Sequence, residues 1–195
     1  IAGDTIEMYA AADGTSPTVT SNAAANYLLI ERLSGNQTVA ASETVACRYI
    51  QPSSTTITNA TITYLDFSTK DYDTHGFVSG AGSGNVTTTN TGWKAIIPVS
   101  GKYQIAAKLR CSSGGGWNAG EAFSVYVYVN GSLRSSGIVD ANSTHSNLVA
   151  VSDSAVLNLV AGDRVEIGTS QNSGASISLT ASSDQSLVEI YRIGN

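Results

Sequence analysis

"GWKAIIPVSGKYQIAAKLR" (residues 92–110) reads as two β-strands folded around a corner. Apolar residues fill the stretch up to Pro98, Ser100-Gly101 interrupts the chain, and Tyr103, Ile105, Ala107 and Leu109 then alternate with Lys102, Gln104, Lys108 and Arg110. A period of two puts the first set on one face of a strand and the second on the other. One face is therefore expected to pack in a core and the other to meet water, as in an antiparallel sandwich or barrel.

The same pattern continues outward. In "FSVYVYVNGSLRSSG", Asn130-Gly131 supplies the two positive-φ positions of a type I′ turn between extended arms. Phe123, Val125, Val127 and Val129 share one face of the first arm, and Ser124, Tyr126 and Tyr128 share the other. Bulk on both faces calls for a core behind and something in front, either a partner or a neighbouring loop. "VAGDRVEIGTSQNSGASISL" turns at Ala161-Gly162-Asp163, sends Val165 and Ile167 inward and points Arg164 and Glu166 outward. The closing "SLVEIYRIG" carries Val188 and Ile190 on one side and Leu187, Tyr191 and Ile193 on the other. Only a strand covered on both faces tolerates that.

Strands are expected at 27–33, 43–50, 60–67, 93–98, 102–110, 122–129, 147–151, 155–159, 163–169, 175–180 and 186–193, with helix-like spacing confined to "SNAAANYLLIERL". Tyr103, Ile105, Leu109, Val125, Val127, Val165 and Ile167 are the expected core. The loop-like stretch "SGNQTVAAS" (34–42) suggests a boundary between an N-terminal segment, 1–37, and a main domain, 38–195.

Of the 195 residues, 42% are hydrophobic but only 13% charged, against about a quarter charged in ordinary domains, so the surface is wetted by hydroxyls and amides. The net charge of −5 offers no global attraction to nucleic acid or to an anionic membrane, and neither is expected as a partner. No apolar run approaches the length of a membrane span, and the chain opens at Ile1 without a leader-like pattern, as expected of a mature or excised piece. Cys47 and Cys111 suit either two buried thiols or one long-range disulfide.

Catalytic motifs are missing: there is no nucleophile elbow, phosphate loop, dinucleotide fingerprint, zincin motif or Cys-x-x-Cys, and His75 and His145 are the only neutral-pH bases. The expectation is a protein that is not an enzyme and uses no cofactor or metal. In "KDYDTHG", Asp71, Asp73 and His75 alternate as metal ligands do, although Asp followed by Gly is also ordinary turn chemistry. Trp117 and Asn118 in "CSSGGGWNAGEAF" suit a sugar-stacking loop flanked by polar residues of 140–146, notably Asn142 and His145; a Trp lid over the sandwich is the other reading. Sequons at Asn36, Asn59, Asn85, Asn130 and Asn142 are unsurprising in so Ser- and Thr-rich a chain.

Taken in order, the Pro98, Gly101 and Tyr103 corner, the Asn130-Gly131 hairpin, the Gly162-Asp163 turn and the apolar terminal strand resemble the globular head of complement C1q and its tumour-necrosis-factor-like relatives. The preceding "SETVACRYIQPSSTTITNATITYLDFSTKDYDTHGFVSG" (42–80) is similar to the version of this domain found in bacteriophage tail-fibre and other virion proteins. The resemblance implies a ten-strand jelly roll, assembled as a homotrimer with aromatic and aliphatic side chains along its axis. Tyr126, Tyr128, Leu187, Tyr191 and Ile193 are the candidates for that interface.

Some heads of this kind bind Ca²⁺, but no acidic motif here matches residue by residue. It further implies a virion surface protein, a tail-fibre tip or a capsid or tail decoration domain, whose partners are its own copies, other virion proteins and a host cell-surface glycan or protein. The alternative is a secreted carbohydrate- or ligand-binding module of a cellular organism. Neighbouring genes separate the two.

Overall fold

The computed structural model describes residues 44–51, 53–112, 117–141, 144, 149–180 and 185–194. All of them fall in the compact unit Thr38–Asn195. Among the described residues there is no helix, and no segment long and apolar enough to cross a membrane as one. The strands are β1 (Ala46–Ile50), β2 (Thr55–Ile57), β3 (Thr63–Tyr64), β4 (Thr69–Asp73), β5 (Val78–Ser79), β6 (Lys94–Ile96), β7 (Gly101–Ser112), β8 (Ala122–Val129), β9 (Ser132–Asp140), β10 (Val149–Leu159), β11 (Arg164–Gln171), β12 (Ile177–Leu179) and β13 (Leu187–Gly194). Thirteen strands are thus described where the resemblance implies ten, several of them pairings of two or three residues.

They form two antiparallel sheets. Sheet A runs β2-β12-β7-β13-β1-β4, with β10 paired along β7, and sheet B runs β5-β6-β11-β8-β9, with β3 paired to β11. The alternation in β7 decides which side of sheet A is inside. Tyr103, Ile105, Ala107, Leu109 and Cys111 are buried against the inward row of sheet B, Phe123, Val125, Val127, Val165 and Ile167, while Lys102, Gln104 and Lys108 are exposed. Trp93 plugs one end of this core, with Phe67 and Tyr49 edge-on to it at ring-centroid distances of 5.4 and 5.9 Å. Cys47 and Cys111 are buried thiols not joined in a disulfide, and burial pushes the Cys47 thiol far above its ordinary range.

Two turns keep the register. Asn130 and Gly131 adopt φ of 52° and 79°, the type I′ pair that reverses β8 into β9. At the corner before β7, Tyr103 Oη donates to the Val99 carbonyl at 2.6 Å. Gly101 is required beside it: a Cβ there would lie 2.5 Å from the Gly194 carbonyl oxygen and 2.6 Å from Arg192 Nε.

Several expected boundaries change. The strands expected at 147–151 and 155–159 are one strand, β10, because its ladder with β7 continues through the polar "SDS": Ser152, Asp153 and Ser154 pair with Lys108, Ala107 and Ala106. The polar strand β4 has too few apolar residues to announce itself and is recruited by pairing with β1, while β9 is the second arm of the expected hairpin, continued to Asp140. The strand expected at 27–33 and the N-terminal segment 1–37 lie outside the described residues.

Candidate binding surfaces

The loop expected to stack a sugar does not present its ring. Trp117 is 1% exposed and packs against Phe123, ring centroids 6.3 Å apart, so its indole closes the core instead of facing solvent. This corrects the stacking role and favours the lid. Asn118 is exposed, but its backbone N–H and Nδ2 donate to the Glu121 carboxylate at 2.7 and 2.9 Å. Those two bonds hold the Glu121 carboxyl below its ordinary value, the side-chain bond contributing most. Asn142 and His145 lie outside the described residues.

"KDYDTHG" is turn chemistry. The Asp73 carboxylate accepts the N–H groups of His75, Phe77 and Val78 at 3.3, 3.1 and 3.2 Å and the Tyr49 hydroxyl at 3.1 Å. Asp71 instead pairs with Arg48 at 3.5 Å. Among the described residues no group of three His, Cys, Asp or Glu side chains is placed to hold a metal ion.

The five residues expected at one interface divide between two surfaces. Val125, Val127 and Val129 point into the core, so Tyr126 and Tyr128 lie on the outer face of sheet B; Val188 and Ile190 point inward, so Leu187 and Tyr191 lie on the outer face of sheet A. The two sets are on opposite sides of the sandwich and cannot form one patch. Tyr128 is already covered, 7% exposed, with the Tyr64 ring 5.2 Å away. Gly168 makes room for it, since a Cβ there would sit 2.9 Å from Tyr128 Cε2.

The outer face of sheet A carries the other set. Val156, Gln104 and Tyr191 stand side by side across β10, β7 and β13, and the row one step along is Ser154, Ala106, Glu189 and Arg48. Val156 and Ile193 are 56% and 51% exposed. The Tyr72 hydroxyl of β4 donates to that of Tyr191, and burial followed by this donation raises the Tyr72 phenol far above its ordinary value of 10.

On the outer face of sheet B, an open groove of about 400 Å³ runs beside Tyr126, lined by Ala60, Ile62, Ala122, Ser124, Ser170, Gln171 and Asn172. The Tyr126 hydroxyl and Ser170 Oγ are 2.8 Å apart, and Ser170 faces Ser124 across the β8–β11 ladder. The buried Gln171 knots the surrounding loops: its Nε2 donates to the carbonyls of Ile57 and Ala175, and its Oε1 accepts from the Ser173 backbone N–H and hydroxyl.

Two buried carboxylates escaped the reading of the sequence. Asp66 accepts the N–H groups of Gly82 and Gly84 at 2.9 and 2.6 Å, and Glu166, expected to point into water, is covered by the loop at Thr89 and Asn90. The available signal was a lone Asp inside the apolar "ITYLDF".

No family model matches the chain, and no curated protein matches it in sequence. Solved structures do match. Eiger TNF from S. frugiperda superposes with a TM-score of 0.56 at 9% identity, covering 78% of this chain and 94% of that one. Murine APRIL superposes at 0.53 and 10% identity, covering 77% and 100%. The globular domain of zebrafish complement 1qA follows at 0.48 and 15% identity, covering 77% and 99%, a likeness too weak to add to the other two. The described domain therefore has a TNF-like jelly-roll fold. At these identities the likeness shows the fold alone.

Proposed function

We propose that this chain is a non-enzymatic virion surface protein, a tail-fibre tip or a capsid or tail decoration domain, which assembles as a homotrimer among other virion proteins and binds a host cell-surface glycan or protein. The observation that carries the assembly is the outer face of sheet A, where the half-buried Tyr191 of β13 stands beside Tyr72, ring centroids 6.3 Å apart, and the exposed Val156 lies across Gln104 in the same row. Adjacent apolar side chains of that kind mark an interface. The β10 edge of sheet A is the counter-surface: an edge of one copy against the sheet A face of the next closes a ring by rotation. Three is the number that the C1q and TNF resemblance implies, and the likeness of residues 42–80 to phage-type domains supports the virion setting.

Light scattering on the purified chain is expected to give three chain masses, and the labelled protein is expected to bind intact bacterial cells or their isolated envelope polysaccharide. A stable monomer at micromolar concentration defeats the trimer. A trimer that binds neither cells nor polysaccharide is a structural component of the particle and defeats the recognition role.

A further inference from the structure

We propose that the groove beside Tyr126 on the outer face of sheet B is a subsite for a neutral saccharide, which deepens the host-recognition reading and rests on it. The chemistry of the lining selects the ligand class. None of the eight residues carries a charge, so a charged ligand would lose hydration there with nothing to replace it. A wholly apolar ligand would cover Ser124, Ser170 and Asn172 and offer nothing to the hydrogen-bonding capacity that the Ser170–Tyr126 and Asn172–Ala122 bonds leave unused. A sugar ring, with C–H faces and hydroxyl edges, meets both demands: Tyr126 and Ile62, the latter 44% exposed, supply the apolar wall, and the serines and Asn172 supply hydrogen bonds.

The groove is also built in advance. Tyr126 is held by Ser170 and by the edge-on Tyr128 ring at 6.2 Å, and Ala60 at the rim donates its N–H to the Gln171 carbonyl at 2.7 Å. The Asn172 side-chain Oδ1 accepts the Ala122 N–H at 2.5 Å, so the side-chain N–H₂ is the group it has left to offer, a donor for a sugar hydroxyl or ring oxygen. Little conformational freedom remains to be lost on binding. Because sheet A faces the other way, covering its outer face leaves this groove open, and a ring of copies would display one groove each to a polysaccharide.

The test is saturation-transfer NMR on the whole chain with the methyl glycosides of glucose, galactose and N-acetylglucosamine, and with methyl glucuronoside as the charged control. At least one neutral glycoside is expected to bind, with Tyr126→Ala and the exposed Asn172→Ala each weakening it by about tenfold and Tyr126→Phe keeping most of it. If Tyr126→Ala does not fold, Asn172→Ala carries the test. Binding that is unchanged in folded Asn172→Ala and Tyr126→Ala protein, or preference for the glucuronoside, overturns the subsite. Cell binding by the wild type without binding of any neutral glycoside or of neutral envelope polysaccharide also overturns it while leaving host recognition standing. No cell or polysaccharide binding at all overturns both.

Discussion

The Glu166 carboxylate accepts the backbone N–H of Asn90 at 2.5 Å, joining two residues 76 positions apart. The same carboxylate takes the Thr89 hydroxyl at 2.6 Å and Arg164 Nε at 2.9 Å, and Glu166 is only 1% exposed. It is the clamp that lays the loop before Trp93 over sheet B. Glu166→Ala leaves the Asn90 N–H and the Arg164 guanidinium without their partner and is expected to cost about 3 kcal/mol in urea unfolding. Limited proteolysis should then cut within 84–91, and Thr89→Ala, which removes the hydroxyl's bonds to Glu166 and from Arg164, should cost about 1–2 kcal/mol.

The inward rows of the two sheets set the stability of the sandwich. Val127 lies opposite Ile167 in the β8–β11 ladder, and Leu109 faces inward from β7, both fully buried. Truncating either to Ala is expected to cost about 2–4 kcal/mol, whereas Lys108→Ala, on the outer phase of the same strand, should stay within about 0.5 kcal/mol. Denaturant titration distinguishes the two rows.

Alkaline conditions should unfold the domain. Burial raises the phenols of Tyr49, Tyr64, Tyr72 and Tyr128 above their ordinary value of 10; in Tyr49 the hydrogen bond to Asp73 adds to it, and in Tyr72 the bond to Tyr191 does. A group whose pKa is raised by folding supports the fold below its unfolded pKa, and that support falls as pH climbs from there toward the folded value. Stability should therefore be flat up to about pH 9 and fall above about pH 10. Phenolate absorbance from these tyrosines should appear together with the loss of near-ultraviolet circular dichroism; their free titration in a folded domain would contradict the packing.

The two outer faces predict opposite results for two tyrosines. Tyr191→Glu places a charge in the sheet A group and should give monomeric or aggregated protein in light scattering, while Tyr126→Ala, on the other side of the sandwich, should leave the oligomer intact. Unfolding of the wild type should shift to higher temperature with protein concentration, since dissociation and unfolding are then one event.

Alternation made the core of this domain legible. Tyr103, Ile105 and Leu109 against Lys102 and Gln104 specify one register, and Asn130-Gly131 specifies one turn, because each rests on neighbours along the chain. Which strands share a sheet depends on long-range pairing that local pattern does not record. Local pattern therefore groups Tyr126 with Tyr191 although the two face opposite ways. Trp117 misled for a related reason: a Gly-rich, polar stretch reads as a solvent loop, yet Phe123 provides an apolar seat for the indole. The polar "TKDYD" forms a strand because β1 offers it an edge and Tyr49 a hydrogen bond, neither visible in the five residues themselves.

β13 is the last of the described strands, yet it lies inside sheet A, paired to β7 on one side and β1 on the other. On the ribosome, then, the roughly 140 residues from β1 to the start of β13 must wait as an incomplete sheet with two open edges until the eight-residue β13 leaves the exit tunnel and slides between them. Translation that stops short of Leu187 would release a chain with both edges bare, a product for chaperones and proteases rather than a slightly shortened domain.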